Sequence, residues 1–178
     1  KIGIHIADVG HYIKEYIGDL SLHRLSSVYL PDKIYHLFPE KLSCNKFSLL
    51  EKQPRNTLSV WFNYKTGTFT IDKTTTIIKK NYSYNEWKDS SDIYRKVENI
   101  WNIHSPKSRR ITNSHEFVEV CMLLANYAVG RYLIDNKKNP ILRVFQGEKT
   151  VLAKDELSTF LQHWNYGRAK YVYAKDSS

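Results

Sequence analysis

Ile2, Ile4 and Ile6 alternate with Gly3, His5 and Ala7 at the start of the chain. That is the two-residue period of a strand with one buried face, and it predicts a strand over 2–8. Asp8 ends the run, where a carboxylate can point out of the strand tip. The alternation returns over 57–64, with Leu58, Val60, Phe62 and Tyr64 facing one way and Thr57, Ser59, Trp61 and Asn63 the other. Lys65-Thr66-Gly67 reads as a turn, and 68–79, rich in Thr and Ile, as the returning strand of a hairpin. Val28-Tyr29-Leu30 reads as extended, and Pro31-Asp32 and Pro39 punctuate a loop-rich stretch.

Between and after these come helical periods. Residues 19–26 have the length of a short helix. Ser83-Tyr84-Asn85-Glu86 has the capping-box pattern, Ser at the N-cap and Glu at N3, and predicts a helix from there to about 102. The segment 103–112 holds a proline and three basic residues and reads as an exposed loop. Asn113 or Ser114 can cap a helix over about 115–135, whose apolar face is Phe117, Val120, Cys121, Leu124, Ala128 and Leu133. A strand over 141–145 and a last helix over 154–163, with Leu157, Phe160 and Leu161 inward, complete the pattern. Such faces require a sheet–helix core. The expected class is therefore α/β mixed (α+β): strand 2–8 in one mixed sheet with the hairpin, and helix 115–135 packed across it.

A chain of 178 residues is long enough for one domain with a real core. Its net charge of +9 narrows the partners to polyanions, nucleic acid or an anionic membrane. No apolar stretch is expected to approach the roughly 20 residues of a spanning helix, and the opening strand pattern is no signal peptide. The expectation is no membrane. Cys44 and Cys121 form neither a metal-type pair nor a disulfide framework, which points to an intracellular, cytoplasmic location. No small-molecule cofactor motif is evident.

The ordered pieces carry more. They are the opening run, Ser27-Val-Tyr-Leu-Pro-Asp32, Pro39-Glu-Lys-Leu-Ser43, Ser48-Leu49, and Arg55 just before Leu58-Ser-Val60. In that order and spacing they resemble the catalytic domain of the ribonuclease II / ribonuclease R family, the RNB domain. His115-Glu-Phe-Val-Glu-Val-Cys-Met-Leu-Leu-Ala-Asn126 is similar to the family helix with its "IEE-x-ML-x-AN" core. Ile141-Leu-Arg143 fits the short strand that follows it, and Arg168-Ala-Lys-Tyr171 looks like the family's "A-x-Y" segment. The resemblance touches 1–64, 77–87, 113–143 and 168–174. It implies a 3′→5′ exoribonuclease acting on single-stranded RNA by two-metal chemistry with Mg²⁺, whose ions need clustered carboxylates.

The departures set the expected limits of this piece. The family's aspartate cluster, D-x-x-x-x-x-D-x-D-D, precedes the strand that here opens the chain, and its catalytic arginine follows the segment at 168–174. The stretch between Tyr84 and His115 is shorter than usual. Phe47 replaces a cysteine, His36-Leu-Phe-Pro39 replaces "PMLP", and Gly18 replaces an aspartate, with Asp19 one place along. Residues 1–178 are thus expected to be a partial RNB domain with its catalytic residues unknown. Asp8, Asp19, Asp32 and Glu40 lack the D-x-D-D spacing, and no metal ligand is assigned. A catalytically inactive RNA-binding remnant is the alternative, and a structural piece with no RNA role a third.

Three residues match family positions that handle RNA. The resemblance implies that Tyr29 packs on the 3′-terminal nucleotide and limits product length, that Tyr84 lies near the same end of the channel, and that Glu119 contacts the terminal nucleotides. A base stacked on tyrosine is worth about 1–3 kcal/mol, and a carboxylate can accept from the ribose 2′-OH that marks RNA. Without that context Tyr29 and Tyr84 read as ordinary half-buried aromatics. Arg24 and Arg55 either touch phosphate or pair with Asp8 or Asp32. Lys107, Arg109 and Arg110 bind phosphate or form a solvated charged surface. His115-Glu116-x-x-Glu119 lacks the second histidine of a zinc site. His5 and His11 flank Asp8 without a nucleophile elbow, so His5 is expected to donate to a neighbouring backbone carbonyl. Cys121 reads as core.

Overall fold

The computed structural model describes residues 1–13, 27–87, 91–105, 107–144 and 170–173. The helices expected over 19–26 and 154–163, and Asp19 and Arg24 with them, lie outside the described residues. The chain divides into two compact units, Lys1–Ala128 and Val129–Ser178.

In the first unit, strands β1 (Ile2–Ala7), β4 (Pro54–Phe62) and β5 (Phe69–Ile77) form one antiparallel sheet in the order β1-β4-β5. Register places Ile4 opposite Val60 and Val60 opposite Ile71, so the apolar positions of three strands line one face. His5, Ser59 and Asp72 line the other. Helix α1 (Val9–Ile13) follows β1, and β2 (Val28–Tyr29) pairs with β3 (Ile34–Tyr35) as a short ribbon turned by Pro31-Asp32. A π-type turn covers Leu42–Lys46. The α+β class is as expected. Every strand pair among the described residues is antiparallel, β2–β3 and β4–β5 as hairpins, and an isolated parallel bridge joins Glu51 to Ile78.

Two helices cover the hairpin end of the sheet, α2 (Ser91–His104) and α3 (Ser114–Asp135). His104 meets Phe62, Tyr127 meets both Phe69 and His104, and Tyr94 packs on Phe117. Val60, Phe62, Val97, Ile100, Val120, Ala125 and Ala128 are fully buried. Each large apolar side chain so buried contributes about 1.5–3 kcal/mol. Asn99 Nδ2 also donates to the carbonyl of Tyr64, at 2.8 Å.

The turn between β4 and β5 depends on glycine. Gly67 has φ of 74°, a region that L side chains rarely adopt, and its N–H donates to the Asn63 carbonyl at 2.8 Å. A Cβ there would also lie 2.7 Å from Ile103 Cγ2 on α2.

Helix α2 starts later than the capping box predicts. The box itself forms: Ser83 N donates to Glu86 Oε2 at 2.8 Å and Glu86 N to Ser83 Oγ at 3.3 Å. It caps only a turn over 84–86, and the helix begins at Ser91. Ser83's N–H bonds hold the Glu86 carboxyl below its usual range.

α3 corrects a second expectation. It is 22 residues long, and long and apolar enough to cross a membrane. Its Val120, Leu124, Ala125 and Ala128 are buried, while Met122, Leu123, Tyr127 and Tyr132 on the same helix are exposed.

In the second unit, β6 (Ile141–Val144) pairs antiparallel with β7 (Lys170–Tyr173), Arg143 opposite Tyr171. The two segments of the family resemblance after α3 thus meet in one ribbon.

Candidate functional site

The first turn of α3 organises the site. Asn113 Oδ1 accepts the N–H of Glu116 at 3.0 Å, the N-cap bond. Glu116 Oε2 in turn accepts from Thr112 N and Oγ1, both at 2.8 Å. Thr112's N–H, first among several donors, holds the Glu116 carboxyl below its usual range.

Ser114 Oγ donates to the carbonyl of Tyr84 at 2.9 Å and ties the 82–87 segment to this helix end. Tyr84 then stacks on His115, ring centroids 3.7 Å apart and planes at 14°. Glu119 lies one helical turn beyond His115, on the same face. Tyr84 also borders a pocket of about 410 Å³ with Tyr82, Ser83, Trp87, Ser114, Phe117 and Val118. Trp87 Nε1 is buried there without a hydrogen-bond partner.

Glu119 is paired. Arg109 Nη2 donates to its Oε2 at 2.6 Å, and this bond holds the guanidinium pKa above its ordinary value. Arg109 is fixed from two other sides. Its N–H donates to Asn102 Oδ1 at 3.0 Å, and its guanidinium lies 5.9 Å from the centre of the Trp101 ring. Trp101 Nε1 donates to the Lys107 carbonyl at 2.9 Å, and Ile111 N to Glu98 Oε1, so α2 straps the basic loop down. A freely solvated charge run is therefore not what Arg109 belongs to: its side chain is 29% exposed.

Of the three predicted RNA contacts, Tyr84 stacks on His115, one helical turn from Glu119, and Tyr29 stands apart. Tyr29 is 74% exposed on β2, opposite Ile34, with no contact to the other two among the described residues. It is not half-buried. Its neighbours Val28, Leu30, Ile34 and Tyr35 are exposed as well.

Arg55 pairs with neither Asp8 nor Asp32. Its Nε donates to the Ser48 carbonyl at 3.2 Å, Nη1 to the Pro54 carbonyl at 3.0 Å, and Nη2 to Asn45 Oδ1 at 3.2 Å. It clips the π-type turn to β4. Asp8 instead lies 3.5 Å from Lys73 Nζ and accepts from the N–H of His11.

His5 meets a side chain, not a backbone carbonyl. Its Nδ1 lies 2.7 Å from Ser59 Oγ, and its ring meets Trp61 edge-on. Ser59 continues through Thr74 and Thr57 to Thr76, a chain of hydroxyls. This histidine–serine pair is no nucleophile, because Ser59 is fully buried and its hydroxyl engaged. Burial lowers the His5 pKa.

Among the described residues no group of three His, Cys, Asp or Glu could hold a metal ion, so they do not supply a Mg²⁺ site. His115 is committed to Tyr84 and Glu119 to Arg109, which removes the zinc reading. Cys121 is half-buried rather than in the core, and burial pushes its thiol pKa up to about 12.

Comparison with known proteins bears on the family and the fold. The RNB domain profile matches residues 1–92. Ribonuclease R 2 of Lactococcus lactis subsp. lactis is 43% identical over 61 residues, 33% of this chain and 9% of that protein. Ribonuclease R of Mycoplasmopsis pulmonis is 30% identical over 132 residues, 71% of this chain and 17% of that protein. The apo form of Mycoplasma genitalium RNase R has a similar fold, TM-score 0.64 at 19% identity, covering 96% of this chain and 40% of that one. The structure of the same enzyme with double-stranded RNA gives a TM-score of 0.59 at 21% identity, covering 96% of this chain and 38% of that one. The chain spans less than a fifth of the length of these curated relatives. With the profile matching more than half of its residues, the chain belongs to the RNB domain family, a ribonuclease family.

Proposed function

We propose that this chain is the central part of the catalytic domain of a 3′→5′ exoribonuclease that hydrolyses single-stranded RNA. The observation that carries the reading is the RNB match over residues 1–92, and the Tyr84–His115 stack one helical turn from Glu119 supports it. Tyr84 supplies an aromatic face for a base or sugar. Glu119 supplies an acceptor for a ribose 2′-OH. Tyr29, on its exposed ribbon, stacks the last base. Mg²⁺ would supply the hydrolytic chemistry, held by a family aspartate cluster that these 178 residues do not contain. In the alternative reading the domain binds RNA but does not cut it.

A gel of 5′-end-labelled RNA with Mg²⁺ tests the proposal. The 178-residue chain should leave the RNA intact. A polypeptide extended to include the aspartate cluster and the terminal arginine motif should shorten it from the 3′ end. Strong cleavage by the short chain would refute the claim that its metal centre lies elsewhere. No cleavage by the extended one would leave the RNA-binding alternative standing. Single-stranded and duplex substrates belong in the same assay, since the M. genitalium relative was solved with double-stranded RNA.

A further inference from the structure

Glu119 presents a problem if it is to touch RNA. A free carboxylate beside a phosphodiester meets a like charge, and at close range that repulsion opposes binding. The Arg109 ion pair answers it. The guanidinium neutralises Glu119 at 2.6 Å while leaving the second carboxylate oxygen and its other lone pairs open to a donor. One N–H of five is used in this bond, and the remaining guanidinium N–H groups have no partner among the described residues. Arg109 is also built in: Asn102 fixes its backbone, the Trp101 ring centre lies 5.9 Å from its guanidinium, and Glu119 takes its tip.

We propose that Arg109 is the phosphate-binding residue of this site, presenting Glu119 to a ribose 2′-OH and taking the phosphodiester next to it. The inference rests on the reading of Glu119 as an RNA contact. The chemistry of the nucleotide supplies the geometry. In RNA the 2′-OH and the 3′-phosphate are borne on adjacent ring carbons. A ribose whose 2′-OH donates to Glu119 therefore brings its 3′-phosphate within reach of a cation bonded to that same carboxylate. Arginine suits the double task, because its planar fork can bridge a carboxylate and a phosphate at once, which a lysine point charge does less well. The pair then reads two features of one nucleotide, sugar and charge. Deoxyribose lacks the donor, so the site discriminates RNA from DNA through Glu119, with Arg109 keeping the carboxylate tolerable to a polyanion.

The test uses the 178-residue chain and fluorescence anisotropy with a labelled RNA 12-mer and the DNA of the same sequence, each over a salt series. Wild type should prefer the RNA. Arg109→Gln should weaken RNA binding several-fold and lower the slope of log K against log[salt] by about 0.7, the loss of one phosphate contact on a single strand. It should also reduce the RNA-over-DNA preference, since Glu119 is then unneutralised. Arg109→Lys should keep the salt slope and recover part of the affinity, which shows that the Gln variant failed through charge and not through misfolding. Glu119→Ala, which removes the acceptor, should lose preference while keeping the slope. If wild type prefers RNA but Arg109→Gln leaves both slope and preference unchanged, Arg109 is only a structural partner of Glu119, and this inference fails alone. If wild type binds RNA and DNA alike, or neither, the RNA reading of Glu119 fails and takes the inference with it.

Discussion

His5 illustrates how far one residue's chemistry follows from its place in a strand. Register sets it opposite Ser59, so its ring nitrogen finds a hydroxyl at 2.7 Å and the edge of Trp61. Partial burial disfavours the imidazolium, and the pKa falls below 6.5. The sign of the pH effect follows. The unfolded chain takes up a proton at this histidine before the folded one does, so acid favours unfolding. The stability from a neutral His5 is fully present above the unfolded value and is lost as pH falls through the depressed folded value. Thermal midpoints measured from pH 7.5 downward should decline below about pH 6.5, and His5→Gln should flatten part of that decline. An identical decline in the variant would assign it to other groups. The strand period made β1 legible, yet the partner of His5 was not, because Ser59 lies 54 positions away and only strand pairing brings it near. Arg109 was hidden for the same reason. Its role depends on Trp101 and Glu119, which belong to two different helices, and a basic run in a loop gives no sign of either.

At the scale of elements, the hairpin was plain in the sequence and the start of α2 was not. Alternation over 57–64 and a Gly-containing turn are two independent signals for one structure, and β4 and β5 follow them. A capping box is a single local signal. Ser83 and Glu86 satisfy it fully in a lone turn, while Ser114 pulls the Tyr84 carbonyl toward α3. Local hydrogen bonding was correct, but among the described residues the turn ends before Trp87 and the helix is present from Ser91. Gly67 joins these elements, because the turn needs its positive φ and α2 needs its missing side chain. Gly67→Ala should destabilise the chain by about 1–2 kcal/mol from backbone conformation alone. The approach to Ile103 Cγ2 adds to that, softened by the freedom of a side chain that is 46% exposed. Gly67→Asn should cost less in φ, since asparagine tolerates the left-handed region. Urea midpoints of the two variants should therefore rank Asn above Ala. Equal midpoints would mean that contact with α2, not φ, dominates.

For the molecule as a whole, the charge of +9 and the placement of aromatics work together. Cations draw in a polyanion without regard to sequence, and exposed rings hold its bases. Under the proposed reading, Tyr84 and Tyr29 would divide this work by their surroundings. Tyr84 is fixed by His115 on one face and by its own carbonyl's bond to Ser114, so it can position a nucleotide rigidly. Tyr29 stands free on a two-residue strand. In the extended polypeptide that carries the metal-binding cluster, removing a free-standing stacking ring should alter where the last bases come to rest, while the phosphorus chemistry proceeds elsewhere. Tyr29→Ala should therefore change the length of the limit product more than the rate of shortening. Tyr84→Ala, which dismantles a ring packed against the cap of α3, should slow shortening and also lower stability. Quantifying band lengths and rates on the same gels separates the two. An unchanged limit product with Tyr29→Ala would remove this residue from the RNA path and leave its exposed ribbon as a surface of another kind.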